Sequence, residues 1–263
     1  MKTIILCGGQ GTRMKEETEF KPKPLVLVGG QPIIWHIMKI YAHFGYNEFI
    51  LALGYRGDMI KEYFLHWRTF ANNFTLNTKG NEIIFHNNDC DDFKITFVET
   101  GLESLTGERV RRLKDYIGDD EEFMITYGDG VADININELI EFHKKQNTVG
   151  TITGVKTATR FGLLNIDPAT NKINKFYQHK ISDIEMEEHS KDYINGGFMV
   201  FKKEVFDQIE KDTMIEKVFS PLSEKGELSV FVHDGNWKCM DNYKEVEEMN
   251  EFWRKDPFWK VWK

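Results

Sequence analysis

Cysteine is scarce and unpatterned: three residues, Cys7, Cys90 and Cys239, with no C-x-x-C among them. An odd number without that spacing excludes a disulfide scaffold and a zinc ribbon, and fits a reducing cytoplasm. Positive charge is in deficit. Lys and Arg number 34 against 42 Asp and Glu, a formal net charge of −8, which excludes a protein that grips nucleic acid or an anionic membrane through a general basic surface. Any anionic ligand must be held locally. No apolar run approaches the roughly 18 residues of a membrane span, and the chain opens on a strand instead of a basic segment followed by an apolar one. The expectation is a soluble, unprocessed, cytoplasmic protein. Internal repeats and low-complexity tracts are missing too. So is the third glycine of G-x-G-x-x-G, where Met14 stands, and so is the Gly-Lys-Ser/Thr of Walker A.

What is present begins at once. Thr3 to Cys7 is a short apolar run that ends in Gly8, Gly9, Gln10, Gly11, Thr12 and Arg13. Glycines permit tight turns and close backbone approach, so such a loop bares N–H groups to a phosphate. Strand-like runs then alternate with helix-period segments: strand 3–7, helix 32–44, strand 48–53, helix 57–68, strand 94–99, helix 106–116, strand 123–127 and helix 135–145. That alternation predicts βαβ units on a parallel sheet. From 149 the pattern turns strand-rich, with strands at 149–155, 162–166, 172–177, 193–201 and 227–233 and a last helix at 242–254. At 263 residues and 41% apolar content the chain can bury a sizeable core. The reading is a single α/β domain over 1–263, a Rossmann-like, mixed and mainly parallel sheet with helices on both faces. A small excursion lies at about 71–93 and an acceptor-side half begins near 150.

Ligands of open α/β sheets lie beyond the carboxyl ends of the strands. Three such places carry chemistry: the glycine loop with Arg13 and the Lys21-Pro22-Lys23-Pro24 stretch that follows; Tyr127-Gly128-Asp129-Gly130; and Trp237 to Asp241. Two like charges about 4 Å apart repel by roughly 4 kcal/mol at an effective dielectric near 20. Joining a phosphorylated acceptor to a triphosphate therefore needs cations, and a metal held by a few carboxylates plus substrate phosphates is the usual device. Asp129 and Asp241 are the candidate ligands of that metal, Mg2+. Arg13 offers a fork of donors to a leaving pyrophosphate, and Lys23 a compact charge for the phosphorus under attack. Each residue alone has a plainer use: the glycines as a βα turn, the lysines as a solvated loop, Asp129 as a turn residue, Asp241 as a helix N-cap. The joint pattern carries the case. Phe252, Trp253, Phe258, Trp259 and Trp262 crowd the end of the chain, either as an oligomer contact or as the last helix packing down.

The whole pattern resembles the sugar-phosphate nucleotidyltransferases, and among them the glucose-1-phosphate cytidylyltransferases. The resemblance is carried by Gly8 to Arg13, Lys-Pro-Lys-Pro at 21–24, Gly29 and Gly30, Trp35 to Met38, Thr106, Gly107 and Arg109, Tyr-Gly-Asp-Gly-Val-Ala-Asp at 127–133, Ile-Asn-Gly-Gly-Phe at 194–198, and Met240-Asp241. It implies transfer of CMP from CTP to a phosphorylated acceptor, glucose 1-phosphate, with Mg2+, to give a CDP-linked product and pyrophosphate. It implies Arg13 and Lys23 as catalytic; Leu6, Gly8, Gly9, Gly11, Thr12, Thr106, Gly107, Arg109 and Gly128 around the nucleotide, with Arg109 on the cytosine edge or the phosphates; Gly162, His179, Lys180, Asn195 and Gly196 around the acceptor; and Asp129 and Asp241 on the metal. The 71–93 excursion resembles a region that relatives use in subunit contacts, which implies a homo-oligomer. The chain departs from the family's Phe-Gln-Glu-Lys-Pro at Phe176 to Ile181, where His179 replaces a carboxylate that takes sugar hydroxyls. Glu108 also replaces a glycine, and Cys239 and Asn242 flank Met-Asp in place of Pro and Thr. These departures leave open another acceptor, a different sugar phosphate or a phosphorylated amide such as phosphoglutamine. A regulator that binds nucleotide without turnover is the rival of another class. Joint retention of Arg13, Lys23, Asp129 and Asp241 speaks against it, because a sensor needs no transition-state charges.

Overall fold

The computed structural model describes residues 1–11, 14, 19–156, 163–167, 170–177 and 193–263. Among them the strands are β1 (Thr3–Leu6), β2 (Leu27–Val28), β3 (Gln31–Pro32), β4 (Glu48–Leu53), β5 (Phe74–Asn77), β6 (Glu82–Phe85), β7 (Lys94–Glu99), β8 (Glu122–Tyr127), β9 (Gly130–Ala132), β10 (Gly150–Val155), β11 (Leu163–Asp167), β12 (Lys172–Tyr177), β13 (Tyr193–Lys202), β14 (Leu228–His233) and β15 (Trp237–Cys239). The main sheet runs β10-β14-β12-β11-β13-β8-β1-β4-β7, with a further β10–β13 pairing. Its β8-β1-β4-β7 half is parallel throughout. β13 then joins β8 antiparallel.

Strands covered on both faces read as continuous apolar runs, because successive side chains enter opposite layers. In β1 and β4, Ile5, Phe49, Leu51 and Leu53 enter one core layer, and Ile4, Leu6, Ile50 and Ala52 enter the other. The helix Ile33–His43 starts after Pro32 and buries Ile33, Ile34, Ile37, Met38, Ile40 and Tyr41. Gly45, at φ +91°, turns the chain out of it. The expected 57–68 and 106–116 helices are each broken. Gly57–Leu65 gives way to Trp67–Ala71 at His66, and Thr106–Arg111 to Lys114–Ile117. At the second break the Leu113 N–H turns to the Val110 carbonyl at 2.9 Å, a tighter turn that brings Val110, Leu113 and Ile117 into one core layer. The excursion at 71–93 forms the separate β5–β6 hairpin. The Ser182 to Asp192 segment lies outside the described residues.

The aromatic end packs down. Trp259 is fully buried, and with Trp35, Trp253 and Trp262 it surrounds His36 at ring separations of 4.7 to 6.2 Å. Trp259 donates its indole N–H to His36 Nδ1 at 3.3 Å, while His36 Nε2 lies 2.8 Å from the Val28 carbonyl and must carry the proton. Both ring nitrogens are occupied in the neutral form. Burial outweighs the backbone hydrogen bonds and holds the His36 pKa down at about 4. The unfolded chain takes up this proton near pH 6.5 and the folded chain only near 4. Stability is therefore full above pH 6.5 and falls between 6.5 and 4, by roughly 3 kcal/mol from this histidine. Thermal melts across that window should show a shallower pH slope in His36→Asn than in the parent.

Candidate active site

β1 delivers its carboxyl end to the glycine loop, and the loop is braced from below. Arg109, 3% exposed, donates Nη1 to the carbonyls of Leu53 and Gly101 and to Thr100 Oγ1, and Nη2 to the carbonyls of Gly8 and Leu102, at 2.7 to 3.1 Å. One guanidinium thus ties together the carboxyl ends of β1, β4 and β7. A Cβ at Gly8 would stand 2.1 Å from that guanidinium, so only glycine fits. Arg109 lines the cleft, and both of its terminal nitrogens are engaged by backbone carbonyls of the protein.

Lys23 opens the short 3-10 turn Lys23–Leu25, set between Pro22 and Pro24. Its Nζ lies 2.6 Å from Asp129 Oδ2 and 2.7 Å from Asp241 Oδ1. Asp129 follows β8. Asp241 reaches it because β15 pairs antiparallel with β9, Cys239 opposite Gly130, and because Met240 N–H donates to the Asp129 carbonyl at 3.0 Å. Asp241 is not the cap of the last helix. Asn242 is, in a capping box in which Glu245 also accepts the backbone N–H of Asp241 at 2.6 Å. Burial draws the Lys23 ammonium down, but the charges of Asp129 and Asp241 and its hydrogen bonds to both win, and its pKa stands above the ordinary lysine value. Cys7 and Cys239 lie nearby. Burial pushes both thiols up, aided by neighbouring aspartate charge and, at Cys7, opposed by the charge of Arg109, and keeps them protonated, so neither is poised as a nucleophile.

These elements enclose a cleft of about 320 Å³, within the size range of small-molecule sites. Of the sequence-derived residues, Leu6, Gly8, Gly9, Gly11, Lys23, Thr106, Arg109, Gly128 and Asp129 line it, and Asp241 meets it through Lys23. Gly107 packs instead against the backbone of Thr213 to Ile215. Asn195 lies one step behind the wall, its Nδ2 3.5 Å from the Tyr127 hydroxyl, and the Gly196 carbonyl accepts from Trp237 Nε1. Thr12, Arg13, Gly162, His179 and Lys180 lie outside the described residues. Sequence reasoning missed the facing wall of Ser104, Leu105 and Met214, and it missed Glu216, which accepts a hydrogen bond from the Tyr127 hydroxyl. Nothing local in 203–224 marks that glutamate.

Two carboxylates converging on one cationic nitrogen are directed at a common point, and they offer only hard oxygen donors. That donor set suits a divalent cation such as Mg2+, which takes one or two carboxylates and completes its shell with substrate phosphates and water. Among the described residues no group of three or more Asp, Glu, His or Cys side chains converges as a complete protein cage.

A mixed sheet with a parallel half, a glycine turn and a charged cleft at its carboxyl edge defines a nucleotide-handling α/β protein. The chain belongs to the nucleotidyl transferase family, whose model matches residues 2–256. It is 45% identical to a probable glucose-1-phosphate cytidylyltransferase of Bacillus subtilis (strain 168) over all of both chains. It is 39% identical, again over both full lengths, to the glucose-1-phosphate cytidylyltransferase of Salmonella typhi. Solved structures share the fold. HddC from Yersinia pseudotuberculosis superposes with a TM-score of 0.74 at 21% identity, covering 96% of this chain and 99% of that one. The inositol-1-phosphate CTP transferase from T. maritima gives 0.70 at 15% identity, covering 97% and 96%. Among the described residues no helix is long and apolar enough to cross a membrane.

Proposed function

We propose that the protein transfers CMP from CTP to glucose 1-phosphate. A phosphate oxygen of the acceptor bonds to the α-phosphorus of CTP, the bond from that phosphorus to the bridging oxygen breaks, and pyrophosphate leaves with the electron pair. The observation that carries this reading is the convergence of Lys23 with Asp129 and Asp241 beside the glycine turn. CTP and glucose 1-phosphate are supported by the names of the full-length relatives. Asp129 and Asp241 would hold Mg2+, which when bound offsets the charge of the assembled phosphates. Lys23 places a fixed positive charge where charge builds at the α-phosphorus. The backbone of Gly8 to Gly11 receives the triphosphate, and Arg13 steadies the departing pyrophosphate. No covalent intermediate is needed, since positioning and charge stabilisation supply the rate.

The test is pyrophosphate release from purified protein with CTP, Mg2+ and glucose 1-phosphate, with UTP and other phosphorylated acceptors alongside. Turnover with CTP and glucose 1-phosphate that stops on chelation and returns with added Mg2+ is the expected result. Release with another acceptor and none with glucose 1-phosphate would overturn the acceptor. We also propose self-association through the β5–β6 hairpin. A lone two-stranded hairpin is marginal in water, yet this one leaves Leu76, Ile83 and Ile84 exposed. Sedimentation should give an oligomer that Ile83→Lys with Ile84→Lys disperses.

A further inference from the structure

Among the described residues Glu216 is a carboxylate with no lysine or arginine paired to it. It lies in the 3-10 turn Ile215–Val218, half-buried, and its partners among the described residues are two hydroxyls. Tyr127 donates its phenol to Oε1, and Thr106 donates to Oε2 at 3.4 Å. Both donors line the cleft. A carboxylate accepts about four hydrogen bonds, so this one keeps open positions directly behind the two hydroxyls that line the cleft, with no described lysine or arginine paired to it. A partly buried anion left so calls for further donors.

The neighbours say which end of a ligand it faces. Tyr127 ends β8, and β13 flanks β8 on the side away from β1 and its glycine turn. Asn195 of β13 extends the same network through the Tyr127 hydroxyl. The ring has little room to turn, since a Cβ at Gly197 would stand 2.6 Å from it. An anion directly behind this wall repels phosphate and favours hydroxyls. We infer that Glu216 accepts hydroxyl hydrogen bonds from the sugar of the acceptor and so sets which phosphorylated acceptor is used. The inference rests on the proposed transfer to glucose 1-phosphate.

The test compares glucose 1-phosphate with its 2-, 3-, 4- and 6-deoxy analogues, for the parent and for Glu216→Gln, with KM for CTP measured in parallel. In the parent at least one analogue should fall about tenfold in kcat/KM. In Glu216→Gln that analogue and glucose 1-phosphate should come within about twofold of each other, the acceptor KM should rise about tenfold, and the CTP KM should stay within twofold. Should the amide variant not fold, Glu216→Asp, which keeps the charge on a shorter arm, serves in its place and must also change the ranking. An unchanged ranking, a parent indifferent to every analogue, or CTP and acceptor KM values that rise together would overturn the assignment of Glu216. Absence of any parent turnover on glucose 1-phosphate would overturn the acceptor reading and this inference with it.

Discussion

Lys23→Ala is expected to lower kcat by about two to three orders of magnitude, the usual cost of removing one preorganised charge from a developing transition state. CTP affinity should stay within severalfold, because the glycine turn and the rest of the cleft wall are untouched and uniform binding does not depend on this charge. The same substitution should weaken the metal-free protein. Asp129 and Asp241 both lean on the Lys23 ammonium, with side chains 26% and 14% exposed, and its loss leaves two carboxylates facing one another. Removing the ammonium from a largely buried charged group costs on the order of 1–3 kcal/mol. A divalent ion can stand where the ammonium stood, so Mg2+ should raise the melting temperature of the variant more than that of the parent. Titration calorimetry with CTP, stopped-time pyrophosphate assays and melts with and without Mg2+ separate the three effects. Parental turnover in the variant would remove Lys23 from the chemistry.

What the sequence made legible was local. The apolar run of β1 and its glycine loop, and the helix framed by Pro32 and Gly45, are set by periodicity and by residues with restricted or unusual backbone freedom. The partners of Lys23 are not local: Asp129 and Asp241 lie 106 and 218 residues further on. Their residue types suggested a metal pair, but the meeting depends on the β9–β15 pairing, two three-residue strands too short to announce themselves. The bracing role of Arg109 was hidden for a physical reason. An arginine after a glycine-bearing turn reads as a ligand fork, and the carbonyls it braces become visible only once three strand ends are side by side. Glu216 left no trace because its neighbours Thr106 and Tyr127 come from elements 110 and 89 residues away. The aromatic tail was ambiguous between self-association and packing, and the buried His36 of the Ile33–His43 helix, which the tail packs around, accounts for the packing.

Adjacent positions in one turn should separate chemistry from scaffold. Asp241→Asn keeps the shape of the side chain and removes the charge that faces Lys23. It should cut turnover by two orders of magnitude or more at fixed Mg2+, with part of the loss recovered as Mg2+ is raised, since a divalent ion held by one protein carboxylate plus phosphates binds more weakly than one held by two. The fold should barely notice, because Asp129 still holds the Lys23 ammonium at 2.6 Å and the helix cap lies elsewhere. Asn242→Ala should do the reverse. It removes the side-chain acceptor of the Glu245 N–H, a cap worth about 1 kcal/mol, and should lower the melting temperature while leaving the Mg2+ dependence of turnover as in the parent. Paired melting curves and Mg2+ titrations of kcat decide the matter. If both variants lose stability and neither changes its Mg2+ requirement, Asp241 is part of the scaffold and the cleft holds its metal through other groups.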